Sequence, residues 1–289
     1  MTTAELISGA ELGAEVRACV ASTVSAVARA DSPLQRLAGG PGQQLRASLV
    51  LESARASSRS FAWRDVIHLG AAVELLHLGS LVHDDVVDGA RLRRGVDVAV
   101  RDEREAETRL LEGLACAHAA LDLVLRTSQA YAGVFASRLP ALATGQVLDA
   151  QRVGRTLSAA ELVDVHAHKT GALFAVAIEL GLVASQAASR RRLSMARAVG
   201  SSLGVTYQFI DDCRELLGAD TAKSARDRAT GRDLFAVGRE SDSVTQALEI
   251  AGGSLAAAEA LWNECFGVRP EPAGAFARIT AMLEELREA

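Results

Sequence analysis

The chain has 289 residues, 49% hydrophobic and 23% charged, proportions that suit one globular domain over residues 1–289 with a single large core. Its formal net charge of -5 excludes a general nucleic-acid surface, and no block of like charge forms an interaction tail. Cys19, Cys116, Cys213 and Cys265 lack metal-ligand spacing, and the N-terminal segment lacks a basic region leading into a continuous apolar one. A cytoplasmic protein with no membrane span is therefore expected.

Apolar residues recur at helical spacing along the whole chain, prolines number five, and no run alternates with period two. The fold class is all-α. Taken in order, the spacing predicts helices over about 4–30, 43–58, 64–88, 103–136, 138–153, 159–185, 189–217, 241–266 and 273–288. Gly39, Gly40, Pro41 and Gly42 break the chain after the first helix, and residues 89–97 separate the third helix from the fourth. Residues 218–239 carry Lys223, Arg226, Arg228, Arg232 and Arg239 among small and acidic residues, the composition of a flap that orders on an anion. Arg269, Pro270, Glu271 and Pro272 precede the last helix. Helices this long suit a bundle around a central cavity, where sites are built from side chains on facing helices.

Two acidic clusters, Asp84-Asp85-Val-Val-Asp88 and Asp211-Asp212-Cys-Arg-Glu215, each close an apolar helical stretch. Residues four apart share a helix face, so Asp84 projects with Asp88 and Asp211 with Glu215, flanked by Asp85 and Asp212. Burying unpaired carboxylates costs roughly several kcal/mol per ion, so a cation is called for. Mg2+ takes a few carboxylates and completes its shell with substrate phosphate oxygens, so two facing clusters suggest a diphosphate held between them. The basic residues add a second hint. Of 31, only Lys169 and Lys223 are lysine, which points to positions where a planar guanidinium would not serve.

The surroundings of the clusters carry a resemblance. Glu74 to Gly95, containing His77, Gly79, Ser80, the first cluster and Leu92-Arg93-Arg94-Gly95, is similar to the first aspartate-rich motif of the trans-isoprenyl diphosphate synthases, the polyprenyl synthetase family, with its trailing LRRG. Tyr207-Gln208-Phe-Ile-Asp211-Asp212 resembles the family's FQxxDD motif, and Gly145-Gln146 and Lys169-Thr170 resemble its GQ and KT elements, in the family's order. The resemblance runs from about residue 40 to 235. It implies an isoprenoid synthase fold, three Mg2+ ions bridging Asp84, Asp85, Asp88, Asp211, Asp212 and Glu215 to an allylic prenyl diphosphate, and a homodimer. It places Arg93, Lys223 and Arg232 on the allylic diphosphate, and Lys169, Thr170 and Gln208 near its reacting end. Arg46, His77 and Arg94, with Gln43, fall where the family binds isopentenyl diphosphate, and Gly79 and Ser80 where it lines the cavity floor.

The chain departs from the pattern at one informative place. The family's GKRLRP reads Gly42-Gln43-Gln44-Leu45-Arg46-Ala47, so a lysine and an arginine have become glutamine. Losing a charge-assisted phosphate contact costs roughly 1.5–3 kcal/mol, although an amide still donates a hydrogen bond. Gly89, Leu114 and Glu215 are smaller departures. The expected activity is extension of an allylic diphosphate by isopentenyl diphosphate to a longer trans-polyprenyl diphosphate. Alternatives are a terpene cyclase needing no isopentenyl diphosphate, which Gln43 and Gln44 favour, and a regulatory subunit of a heteromeric synthase.

Overall fold

The computed structural model describes residues 8–40, 42–57, 60–151, 158–214, 217 and 240–288. The expected flap at 218–239, with Lys223 and Arg232, and Glu215 of the second cluster lie outside them.

Helix α1 (Gly9–Val27) starts on a capping box in which Ser8 and Glu11 exchange hydrogen bonds, and buries Leu12, Val16, Val20 and Val24, one residue per turn. A short α2 (Pro33–Gly39) follows, capped by Ser32 with Pro33 in its first turn. The predicted single helix over 4–30 thus ends at Val27, and the Gly39 break closes α2 instead. Next come α3 (Leu45–Ala56) and α4 (Trp63–Asp88), then a two-stranded antiparallel hairpin, β1 (Leu92–Arg93) with β2 (Val96–Asp97). The hairpin is too short for any periodicity to announce it.

The predicted break near residue 137 lies nine residues earlier, at Ser128 between α5 (Glu103–Thr127) and α6 (Gln129–Gln151). Ser128 is extended and its Oγ accepts from the Ala130 N–H at 3.2 Å, while Pro140 sits inside α6. Here the break follows the cap rather than the proline. The predicted helix over 159–185 is likewise compound. It comprises α7 (Ala159–His166), a π-helical turn at Ala167–Gly171, and α8 (Ala172–Ala184). The bundle is completed by α9 (Arg190–Arg214), α10 (Glu240–Phe266) and α11 (Ala275–Glu288).

Helix α8 is the axis. Twelve of its 13 residues are buried, an all-round apolar helix that only a central position can satisfy, and α3, α4, α6 and α9 surround it. Its one buried carboxylate, Glu179, is paired with Arg138 of α6 at 2.8 Å and Arg197 of α9 at 2.7 Å. Two stretches, Trp63–Asp88 and Ala159–Ala184, have the length and hydropathy of a membrane span, but 61% and 78% of their apolar windows are buried inside the bundle. Both read as core helices.

Candidate active site

Around α8 the C-terminal halves of α4 and α9, the π turn and α6 enclose a cavity of about 500 Å3. Asp84, Asp88 and Asp211 line it, so the two acidic clusters do meet across one space. Five cations line the same space, Arg46, Arg91, Arg93, Arg94 and Lys169, and their excess over the three carboxylates suits a polyanion. Leu81, Leu92, Leu142 and Leu173 supply an apolar portion.

Asp85 and Asp212 face elsewhere, because each successive helical residue turns by about 100°. Asp85 is buried and accepts from Arg93 Nε at 2.9 Å and Nη2 at 2.5 Å, which ties the hairpin to the end of α4. Burial works against the Arg93 charge, but Asp85, then Asp84 and Asp211, outweigh it and the pKa rises. Asp212 accepts from Gln208 Nε2 at 3.0 Å, and Gln208 Oε1 accepts from Thr170 Oγ1 at 2.9 Å. His166, fully buried and edge-on to Phe209, sets its Nε2 3.3 Å from the other Asp212 oxygen. Neither Asp85 nor Asp212 lines the cavity.

Lys169 extends from the π turn and bonds Asp84 Oδ1 at 3.2 Å and Asp149 Oδ2 at 2.6 Å. Burial pulls its pKa down, yet the two carboxylates more than compensate and hold it above the ordinary lysine value. A π turn is a frequent local device at functional sites because the inserted residue re-aims its neighbours. Gly145 of α6 makes the approach possible, since a Cβ there would stand 2.5 Å from the Lys169 backbone nitrogen. Gln146, the next residue, donates to Asp84. The GQ pair is therefore a close-packing residue followed by a ligand to the first cluster.

A second, smaller pocket of about 270 Å3 adjoins the cavity, lined by Gly42, Gln43, Gln44, Leu45, Arg46, Glu74, His77, Arg94 and Tyr207. Arg46, His77, Arg94 and Tyr207 belong to both spaces and form their common wall. Arg46 is buried, stacked 5.0 Å over the Phe174 ring, and burial lowers its pKa despite Glu74. Burial, then the charges of Arg46, Arg94 and Arg93, hold the His77 pKa well below its usual value, so the ring is neutral.

Ser80 lines the cavity as expected, but Gly79 does not. A Cβ at Gly79 would lie 2.6 Å from the Gly113 carbonyl oxygen and 3.3 Å from Cys116 Cβ, so its small size serves the contact between α4 and α5. Arg91, Asp149 and His166 are not singled out by the sequence as site residues, and Tyr207 only as part of the motif that contains Gln208. Asp149 stands one turn beyond Gly145 and Tyr207 adjoins Gln208, so both had a positional signal; His166 had none apart from its place before Lys169.

Comparison with known proteins bears on this arrangement. The family model described as Polyprenyl synthetase matches residues 27–254. The chain belongs to that family. Among curated relatives of this polyprenyl synthetase family member, the farnesyl diphosphate synthase of Escherichia coli (strain K12) is 30% identical over 177 residues, 57% of this chain and 58% of that protein. The nonaprenyl diphosphate synthase of Mycobacterium tuberculosis is 28% identical over 247 residues, 81% of this chain and 72% of that protein. The matched region thus spans under two thirds of the Escherichia coli relative's own length. In fold, the chain matches the polyprenyl synthase from Caulobacter crescentus CB15 complexed with calcium and isoprenyl diphosphate, with a TM-score of 0.70, 23% identity and coverage of 95% of this chain and 94% of that one. The geranylgeranyl pyrophosphate synthase from Lactobacillus brevis ATCC 367 gives a TM-score of 0.71 at 18% identity, covering 96% of this chain and 97% of that one. The all-α isoprenoid synthase architecture follows.

Proposed function

We propose that the protein is a Mg2+-dependent prenyltransferase that condenses an allylic prenyl diphosphate with isopentenyl diphosphate to a longer trans-polyprenyl diphosphate. The observation that carries this reading is the pair of adjoining pockets with one shared wall, a geometry suited to seating two phosphorylated substrates side by side. A diphosphate fits the larger cavity, where Arg93, Arg91 and Lys169 oppose its charge.

The donors present suit Mg2+. Asp84 and Asp88 on one side and Asp211 on the other offer hard oxygen ligands. Bound there, Mg2+ would supply charge neutralisation of the leaving diphosphate. The chain's own residues do the rest. Lys169, Thr170 and Gln208 form one polar wall beside Asp84 and Asp211, placed to hold a bridging phosphate oxygen and to face the positive carbon as the C–O bond breaks with its electron pair leaving on diphosphate. The alkene of isopentenyl diphosphate attacks that carbon, and a proton then passes to the departed diphosphate. Arg46, Arg94, Gln43 and neutral His77 hold the second diphosphate away from the first. The expected homodimer belongs to the same proposal, supported by Leu110, Leu111 and Leu114 exposed on α5.

A terpene cyclase on the same scaffold is the second reading, favoured by one observation. Gln43 and Gln44 stand where the second pocket would otherwise carry two cations. One assay separates the readings. Purified protein with Mg2+ receives allylic diphosphates of graded length, with and without isopentenyl diphosphate, and products are analysed as diphosphates and as hydrocarbons. Elongation that requires isopentenyl diphosphate is expected; hydrocarbon or alcohol from the allylic substrate alone would establish the cyclase instead. Silence until a partner synthase is added would mark a regulatory subunit.

A further inference from the structure

The two glutamines of the second pocket are each held by an arginine from a distant part of the chain. Gln44 has φ 47 and ψ 38, a left-handed conformation that a non-glycine residue keeps only where its surroundings hold it, and it starts α3 without a side-chain cap. Arg17 of α1 donates to Gln44 Oε1 at 3.1 Å. Arg278 of α11, 235 residues away in sequence, donates from Nη1 to the Gln43 carbonyl at 2.6 Å and from Nη2 to Ser48 Oγ at 2.5 Å, while its Nε reaches the Gly274 carbonyl at 3.3 Å. One turn beyond Ser48 on α3, Glu52 accepts from the Ala275 N–H at 2.7 Å. The start of α11 is thus docked on α3 at two levels, and the upper one grips the loop that brings Gln43 and Gln44 to the second pocket.

A guanidinium fork is suited to this task, since its rigid plane fixes two acceptors in one geometry, whereas an ammonium fixes only a point. The arrangement also returns charge to the loop. Two side chains that would be cationic in the family pattern are neutral here, and two arginines from opposite ends of the chain now touch those same residues. We propose that Arg278, assisted by Arg17, is the positioning element of the second pocket, fixing the 42–44 backbone so that a neutral loop still receives a diphosphate. Neither arginine lines that pocket, so both act through the glutamines. The inference rests on the reading of this pocket as the isopentenyl diphosphate site.

The test compares full-length wild type with Arg278→Ala, Arg278→Lys and Ser48→Ala, by calorimetric titration of isopentenyl diphosphate and by steady-state elongation. Arg278→Ala is expected to raise both Kd and KM for isopentenyl diphosphate about tenfold, with kcat and the allylic KM within about twofold. Arg278→Lys keeps charge without the fork and recovers less than half of that loss on a logarithmic scale. Should Arg278→Ala fail to fold, Ser48→Ala removes one arm only and is expected to raise the same constants about threefold. An unchanged Kd and KM in the folded variants would overturn the inference, as would a parallel loss in kcat and both KM values, which marks a merely structural role. If wild type binds isopentenyl diphosphate without elongating, the functional reading fails while the Kd ratio still judges the clamp. If wild type does not bind it at all, both fall.

Discussion

The larger cavity and the smaller pocket beside it handle charge in different ways. In the cavity, key polar groups on packed helices, the hairpin and the π turn are held by side chains of adjoining elements. Arg93 is fixed by Asp85, Lys169 by Asp84 and Asp149, Gln208 by Thr170 and Asp212. In the pocket the deviating residues sit on a loop, and their supports come from α1 and α11. Preorganised charge on packed helices loses little entropy when a polyanion arrives, whereas a loop needs external bracing to do the same. The supports of the larger cavity are built into its packed helices, while the loop of the smaller pocket depends on packing between remote segments.

The sharpest way to break that contrast is to remove the carboxylates. Asp84→Ala and Asp211→Ala are each expected to lower turnover by about a thousandfold or more while the melting midpoint stays within a few degrees; near-normal rates in both would end the reading of the larger cavity as the ionising site. Lys169→Gln should cut kcat by about a hundredfold, and Lys169→Arg should not restore it, because a planar guanidinium does not match the point between Asp84 and Asp149. Full activity in the arginine variant would show that charge alone suffices.

In the smaller pocket, Gln43→Lys is expected to lower the KM for isopentenyl diphosphate about tenfold, some 1.4 kcal/mol, without touching the allylic KM. No change would mean the pocket is unused. Product length separates the two small residues of α4. Ser80→Phe should shorten the products, whereas Gly79→Ala should leave their distribution alone and cost about 1–3 kcal/mol of stability through overpacking against Gly113. The mildest effect concerns the bracing helix. Burial raises the Glu52 pKa to about 8, well above its ordinary value of 4.5, so the folded state holds a proton that the unfolded chain releases. Its contribution to stability is complete below about pH 4.5 and is lost as pH climbs through 8. Thermal melts of wild type should therefore decline over that window, and Glu52→Gln should flatten the decline by a few degrees; parallel curves would contradict the assignment.

Particular elements show how far the sequence could be read. Helices α3, α4, α9 and α11 have the boundaries that spacing and breakers predict to within a few residues, because each carries its own apolar pattern and stop signal. The division at Ser128 carries only a weak local cap, and Pro140 is absorbed inside α6. The π turn was invisible for a different reason. Its extra residue leaves the apolar spacing on either side intact, and it lies where Gly145 packs against the Lys169 backbone.

The amino-acid sequence by itself therefore determined the all-α class, the two acidic clusters and Lys169 as a group to watch, which follow from local periodicity and residue chemistry, while Thr170, Gln208 and Arg46 were marked by motifs that resemble those of the polyprenyl synthetase family. Only the tertiary structure decided that Asp84, Asp88 and Asp211 share one cavity while Asp85 and Asp212 turn aside, that Gly79 belongs to helix packing, and that Asp149 holds Lys169. It also decided that Arg17 and Arg278 meet Gln44 and Gln43. Contacts between residues up to 235 positions apart are set by how long helices pack, and no local pattern records them.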